Sequence, residues 1–203
     1  MPFFICDYIK QGTNEWRDWR RGVIGASDAA TIMGENPWES AEVLLRQKMG
    51  LEPEFEGNEK TREGQRLEPE ARAILEKRHN TAIRTTLIQH AELPFLAASL
   101  DGLDDRKKEV YEIKCGQYAY RETSKRNQPA EHHMAQLQHI LMITGFDDIF
   151  YAAYRPAKPL LIIKVHRNDR YIKHLRLAEE KFASELMKRG HQLQRTFIGS
   201  LCK

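Results

Sequence analysis

The sequence predicts an α/β fold in a single domain, residues 1–203. Short apolar runs of strand length occur along the chain, and other stretches carry apolar residues at helical spacing. The presence of both patterns in one chain predicts that strands and helices share a core. A hydrophobic content of 41% over 203 residues is sufficient for one domain with a sizeable core.

The composition limits the classes of partner. The net charge is only +3, so a nucleic-acid surface would have to come from local clusters of Lys and Arg. The three cysteines, Cys6, Cys115 and Cys202, are widely separated and lack zinc or thioredoxin spacing, which favours a reducing compartment over a disulfide framework. No apolar stretch approaches the roughly 20 residues of a membrane span, so we expect an intracellular, soluble protein with no membrane partner.

The first helical pattern spans residues 14–22, begins at the candidate cap Asn14, and places two tryptophans and Arg20 on one face. Residues 23–34 predict a tight connection into a short helix that Ser27 caps. The free N–H groups of such a helix start attract anions, and Arg20 would supply a second contact to a phosphate. Alternatively, Ser27 is an ordinary helix cap and Arg20 is a surface residue that binds no phosphate.

Two further helices precede the central strands. Residues 40–49 predict a helix followed by a loop at 51–58, and residues 61–78 predict a second helix in which Pro69 is tolerated only near the start. Glu68 borders the apolar stripe of that helix. A carboxylate at the edge of a core is costly unless it is paired or binds a metal, so Glu68 is a candidate ligand. The alternative is a solvated helix carboxylate.

The most informative stretch is residues 95–115. A strand at 95–100 is predicted to end in a turn formed by Asp101 and the glycine after it. In a second strand at 109–115, the period of two places Glu112 and Lys114 on one face and Tyr111, Ile113 and Cys115 on the other. A hairpin would bring Asp101 beside Glu112 and Lys114, so two carboxylates and an amine converge.

The remaining patterns predict a strand at 82–88, a polar loop at 117–127, an amphipathic helix at 131–144, strands at 148–154 and 160–165, and a charged helix at 169–189. The polar loop carries basic and aromatic residues, so it could contact a nucleic-acid backbone or simply be solvated. The helix at 131–144 contains His132, His133 and His139 without partners at zinc spacing. We expect these histidines to flank the site or face solvent.

Clustered carboxylate oxygens form a hard site suited to Mg²⁺ or Mn²⁺. Such an ion would polarise a phosphoryl oxygen and lower the pKa of bound water, and a second ion would stabilise the leaving oxygen. Lys114 would orient the water and offset developing negative charge. The residues therefore predict hydrolysis of a phosphodiester.

Five sequence blocks resemble the PD-(D/E)XK nuclease superfamily and, within it, the YqaJ-like viral recombinases of the phage lambda exonuclease family. The resemblance covers roughly residues 14–190, and its blocks occur in order at 20–27, 64–72, 99–102, 112–115 and 135–138. Leu100 replaces the proline that precedes the aspartate in the motif, at a position without a ligand role. A lone Glu-x-Lys would be a weak signal, whereas five ordered blocks are a strong one.

The resemblance implies a restriction-endonuclease-like fold, with a central mixed β-sheet flanked by helices. It implies that metal is bound by Asp101, Glu112 and the Ile113 carbonyl, with Glu68 assisting. Further implied roles are activation of water by Lys114, a position near the scissile group for Gln136, and binding of the DNA 5′-phosphate by Arg20 and Ser27.

The implied function is a Mg²⁺-dependent 5′-to-3′ exonuclease on double-stranded DNA ends that leaves 3′ overhangs for phage-type recombination. The resemblance further implies two metal ions per site, a homotrimeric ring, a phage single-strand annealing protein as partner, and the cytoplasm of a bacterial host. One alternative is a restriction-like or structure-selective endonuclease. Another is a DNA-end-binding module without catalysis, which the intact set of Asp101, Glu112 and Lys114 disfavours.

Overall fold

The computed structural model of the chain describes residues 2–54 and 57–201. Within these residues, seven strands form one mixed sheet with helices packed on it, which confirms the predicted fold class. The strands are β1 (Phe3–Ile5), β2 (Ile24–Gly25), β3 (Arg84–His90), β4 (Leu96–Asp104), β5 (Glu109–Cys115), β6 (Asp148–Tyr154) and β7 (Leu161–His166). The helices are α1 (Asn14–Gly22), α2 (Ala29–Ile32), α3 (Ala41–Lys48), α4 (Glu59–His79), α5 (Gln117–Arg126), α6 (Met134–Thr144) and α7 (Asp169–Leu201).

The sheet runs in the order β1-β3-β4-β5-β6-β7, and the short β2 pairs with β4. The pairs β5–β6 and β2–β4 are parallel, and the other pairs are antiparallel. β4 and β5 form the central hairpin, so the two strands with the predicted acidic residues are hydrogen-bonded neighbours.

The side chains of β5 divide between two hydrophobic clusters, one on each face of the sheet. Val110 packs in the larger cluster with the apolar residues of α6. Tyr111 and Ile113 pack in the other cluster against Ala71 and Leu75 of α4. This arrangement confirms the faces assigned from the period of two and leaves Glu112 and Lys114 on the α6 side.

The predicted turn at Asp101 was wrong. Strand β4 continues through Asp101 to Asp104, and the chain reverses at residues 105–108, where Lys108 adopts a φ of 55°. Gly102 is needed for packing and not for turning, because a Cβ at this position would lie 3.1 Å from both Ile83 and Tyr111. The hairpin nevertheless places Asp101 beside β5, as expected.

Two helix predictions and one loop prediction need correction. The side chain of Thr13, not Asn14, caps α1 by accepting a hydrogen bond from the Trp16 backbone N–H. Pro69 lies in the middle of the 21-residue helix α4 and not near its start. The polar stretch at 117–127 is helix α5, which buries only a narrow strip, and this explains why the apolar pattern was too weak to predict it.

The other predicted elements are present, with small shifts at their ends. α3, β3, α6, β6 and β7 fall within a few residues of the expected ranges, while β1 and β2 were not predicted. The helix expected at 169–189 continues to Leu201. Cys6 and Cys115 carry free thiols, whereas Cys202 lies outside the described residues. In the described part of the chain, no helix combines the length and apolar character required to cross a bilayer.

Candidate active site

A cavity of about 420 Å³ opens where α1, the turn after β2, α4, β4, β5 and α6 meet. All eight site residues predicted from the sequence contribute to its wall: Arg20, Ser27, Glu68, Asp101, Glu112, Ile113, Lys114 and Gln136. The fold therefore brings together residues that are up to 116 positions apart in the chain.

Glu112 is the most deeply buried member, with 1% of its surface exposed. Its Oε1 atom accepts a hydrogen bond from Gln136 Nε2 at 2.7 Å and lies 2.6 Å from Lys114 Nζ. Its Oε2 atom is buried and has no hydrogen-bond partner among the described residues. A buried carboxylate oxygen without a partner is costly, so this atom is available for a cation.

Asp101 and Glu68 add two carboxylates next to Glu112. Asp101 Oδ2 accepts a hydrogen bond of 2.8 Å from the Ile113 backbone N–H. Burial, together with the nearby carboxylates of Glu112 and Glu68, raises the pKa of Asp101 well above its usual value. Burial and the charge of Glu112 likewise raise the pKa of Glu68, although Arg72 opposes this change. Asp101, Glu68 and Glu112 therefore bring together more negative charge than the neighbouring cations and hydrogen-bond donors stabilise.

Arg72 connects two of these groups. Its Nη2 atom forms an ion pair with Glu68, one helical turn away, and its Nε atom donates to the Asp101 carbonyl at 2.9 Å. Helix α4 is thereby attached to β4 at the cavity.

Lys114 supplies the positive charge of the cluster. Burial alone would lower the pKa of its ammonium group, but the carboxylates of Glu112 and Asp101 raise it above the usual value. Lys114 is therefore a fixed cation and a hydrogen-bond donor.

Besides these carboxylates, His133 and Tyr151 lie near Lys114, and His133 is uncharged. His133 Nδ1 lies 2.9 Å from the hydroxyl of the buried Tyr151, and burial together with Lys114 lowers the pKa of His133 to about 2. His133 thus flanks the site as expected. His139 does not face solvent, because it is fully buried and contacts Glu179 at 2.7 Å and the carbonyl of Ala97, a residue of the cavity wall, at 3.0 Å.

The donor set suits a hard divalent cation. Among residues 2–54 and 57–201, no three His, Cys, Asp or Glu side chains converge closely enough to form a complete metal site by themselves. Glu112 Oε1 is already occupied by an ion pair with Lys114 and a hydrogen bond from Gln136. The unpartnered Glu112 Oε2 and the raised pKa of Asp101 are the features that a bound cation would relieve, so the residues fit such an ion.

The other end of the cavity is basic. Arg20 lies over the Trp16 ring at 4.9 Å and donates a hydrogen bond of 3.0 Å to Ser27 Oγ. The expectation that Ser27 caps a helix was wrong, since Ser27 lies inside a 3₁₀ turn, residues 26–28, and makes no capping hydrogen bond. α2 has only four residues, so the Arg20 and Ser27 side chains, not a helix N-terminus, provide the donors here.

Several cavity residues were not predicted from the sequence. Trp16 reaches β4 through a hydrogen bond of 3.3 Å to Ser99, and Lys60 and Thr61 line the wall at the start of α4. The helical spacing of Trp16 and Arg20 places both residues on one face of α1, so it could have predicted that Trp16 lines the cavity beside Arg20. No local pattern indicates that Lys60, in the first turn of a long polar helix, points toward a cavity.

Comparison with known proteins gives a consistent result. Residues 15–147 match the family of the YqaJ-like viral recombinase domain. The uncharacterized protein YqaJ of Bacillus subtilis (strain 168) is 28% identical over 175 residues, or 83% of this chain, and the chain spans about half, 54%, of the length of that curated relative.

The alkaline exonuclease LHK-Exo from Laribacter hongkongensis is 26% identical, with a TM-score of 0.79 over 92% of this chain and 99% of that chain. A complex of LHK-Exo with dAMP gives a TM-score of 0.78 over the same shares. A phage related exonuclease from Haemophilus somnus 129PT, at 14% identity and a TM-score of 0.58 over 82% and 96% of the two chains, supports the fold alone. Since the family match covers well over half of its residues, the chain belongs to the family of the YqaJ-like viral recombinase domain.

Proposed function

We propose that this chain is a metal-dependent deoxyribonuclease that degrades double-stranded DNA from the 5′ end and leaves 3′ overhangs. The observation that carries the proposal is one cavity with a cluster of carboxylates and a lysine at one end and an arginine–serine pair at the other. Membership of the YqaJ-like family and the similarity to the alkaline exonuclease LHK-Exo support it.

In this proposal Asp101, Glu112 and the Ile113 carbonyl hold Mg²⁺, with Glu68 assisting and Mn²⁺ as an alternative ion. Two ions per site would suit the number of oxygen donors. The bound metal would supply Lewis acidity at the scissile phosphate and make water more acidic. The unpartnered Glu112 Oε2 gives Glu112 a free oxygen for this purpose.

The protein side chains then position the reactants. Lys114 is held as a cation, so it donates hydrogen bonds to the attacking water and stabilises negative charge that develops on the phosphate. Gln136 fixes the orientation of Glu112 through its hydrogen bond and lies beside the scissile group. Asp101, Glu112, Lys114, Glu68 and Gln136 are accordingly the proposed catalytic residues.

The proposed direction of digestion depends on the end of the cavity that holds Arg20 and Ser27. Arg20 and Ser27 would bind the terminal 5′-phosphate, which places the adjacent phosphodiester at the carboxylates. Each cycle would release one nucleotide. LHK-Exo has been solved with dAMP, a mononucleotide of the kind this mechanism produces.

The wider biological role is also part of the proposal. Residues 1–203 form one nuclease domain, which is too small to surround a duplex alone, so we propose a homotrimeric ring. Its 3′ overhangs would be passed to a phage single-strand annealing protein in the cytoplasm of the bacterial host. The family description as a viral recombinase domain supports this role in phage-type recombination.

The decisive experiment compares linear duplexes that carry 5′-phosphate or 5′-hydroxyl ends, with and without Mg²⁺. We expect cleavage only with Mg²⁺ and faster digestion of phosphate ends. A charge-assisted contact of about 1.5 to 3 kcal/mol corresponds to roughly 10- to 150-fold in rate when it is made in the transition state. Arg20→Ala should remove most of this preference and slow hydroxyl ends much less.

Arg17→Ala is the matched control, because Arg17 lies on the same helix but is exposed and hydrogen-bonds to Asn14 outside the cavity. This control should retain the phosphate preference. Equal proportional losses on both substrates in Arg20→Ala would show that Arg20 does not recognise the 5′ end.

A further inference from the structure

A buried lysine that does not line the cavity contacts the backbone of its basic end. Lys48, at the end of α3, has a side chain that is only 7% exposed. Its Nζ atom lies 2.7 Å from Asp28 Oδ2 and donates to the backbone carbonyls of Val23 at 2.7 Å and Arg20 at 3.0 Å. An ammonium group has three donors, so Lys48 has none left for a substrate.

Asp28 is shared between two cations. Its side chain is 8% exposed, contacts Lys48 directly, and lies 3.7 Å from Arg20 Nη2. Asp28 also accepts a hydrogen bond of 2.9 Å from the Gly25 backbone N–H. Burial alone would raise the pKa of Asp28, but Lys48 and Arg20 lower it below the usual value, so the group is an anion.

The distances show which cation neutralises this carboxylate. Asp28 makes its close contact with Lys48, whereas Arg20 stays farther away, donates to Ser27 and lies over Trp16. Arg20, Lys48 and Asp28 together carry one net positive charge, and that charge is on the residue that lines the cavity. Without Lys48, the uncompensated Asp28 would attract Arg20 and cancel its charge.

We propose that Lys48 is a positioning residue for 5′-phosphate recognition: it neutralises Asp28 and so leaves the Arg20 guanidinium available to a terminal phosphate. This inference rests on the proposed role of Arg20. Lys48 acts from inside the protein, through a charge and two backbone contacts, without touching DNA.

The test measures the ratio of initial rates on 5′-phosphate and 5′-hydroxyl duplexes. In Lys48→Met the ratio should fall by about tenfold or more, toward the value for Arg20→Ala. In the double variant Lys48→Met with Asp28→Asn the ratio should recover, because no carboxylate remains to compete for Arg20. Arg46→Met, which removes an exposed charge from the same helix, should leave the ratio unchanged.

Thermal unfolding followed by circular dichroism provides a control for folding. Lys48→Met leaves a buried carboxylate without its partner and should unfold at a lower temperature than the double variant, which removes both charges. If Lys48→Met does not fold, the neutral variant Lys48→Gln takes its place: a ratio that falls in Lys48→Gln and recovers when Asp28→Asn is added supports the proposal, and a ratio that Lys48→Gln keeps overturns it.

The outcomes distinguish this inference from the proposed function. A wild-type ratio near one would overturn 5′-phosphate recognition itself. A normal wild-type ratio that is lost in Arg20→Ala but kept in Lys48→Met would overturn only the role of Lys48. The role of Lys48 would also be overturned if Lys48→Met lost the rate ratio and the double variant did not recover it. The loss would then not come from an uncompensated charge on Asp28.

Discussion

Replacing Lys114 with methionine should separate catalysis from folding at the acidic end of the cavity. Lys114 Nζ lies 2.6 Å from Glu112 Oε1, and at an effective dielectric constant of ~20 this distance corresponds to about 6 kcal/mol of gross attraction. Removing one partner of a buried pair costs about 3 to 5 kcal/mol of stability. We expect Lys114→Met to fold with reduced stability and to cleave at least ~10²-fold more slowly.

The same variant should respond to metal more strongly than the wild type. Without Lys114, Asp101 and Glu112 lack the main cation that offsets their charge, so Mg²⁺ should raise the unfolding temperature of Lys114→Met more than that of the wild type. The assays are single-turnover cleavage of a 5′-phosphate duplex and thermal unfolding over a series of Mg²⁺ concentrations. Lys158→Met, at an exposed position outside the cavity, is the control.

Two results would contradict this reasoning. Cleavage at the wild-type rate would show that Lys114 neither orients water nor stabilises charge. Equal effects of Mg²⁺ on the unfolding temperatures of the variant and the wild type would show that the ion does not bind among these carboxylates.

Further predictions concern the metal site, the substrate, assembly and pH. Asp101→Ala should abolish cleavage and weaken Mg²⁺ binding in calorimetry; normal values of both would refute the assigned site. Linear DNA should be digested while supercoiled plasmid stays intact, and nicking of the plasmid would favour an endonuclease. Light scattering should give a trimer, and a monomer with distributive digestion would argue against a ring. The pKa of Asp28 is lowered on folding, so its contribution to stability is complete above its unfolded pKa of about 4 and is lost as the pH falls through the lower folded value. Acid unfolding should accordingly depend less steeply on pH in the double variant Lys48→Met with Asp28→Asn.

Strict periodicity explains what the sequence could predict. The alternation of β5 assigned Tyr111 and Glu112 to opposite faces correctly, because successive side chains of a strand must point to opposite sides. Gly102 shows the limit of such patterns. A glycine after an aspartate favours a turn, but here the absence of a Cβ allows Ile83 and Tyr111 to approach closely, and that requirement becomes visible only in the packed structure.

Long-range partners account for most of what was missed. His139 is a polar residue on an apolar helix face, and its partner Glu179 lies 40 positions away. Lys48 and Asp28 are 20 positions apart on separate elements, and Lys48 looks like an ordinary basic residue at the end of a helix. A pairing of this kind depends on how α3 packs beside the turn after β2, which no local spacing encodes.

The parallel pairing of β5 with β6 determines when the acidic end of the cavity can assemble during synthesis. Strand β5 carries Glu112 and Lys114, but its neighbour β6 begins only at Asp148, after α5 and α6. A parallel pair cannot form until the whole crossover has been made, and such non-local contacts form late in folding. A ribosome-bound chain that ends within α6 therefore holds the carboxylates without the strand that fixes them. The acidic cluster of Asp101, Glu112 and Lys114 is therefore complete only after most of the chain has emerged.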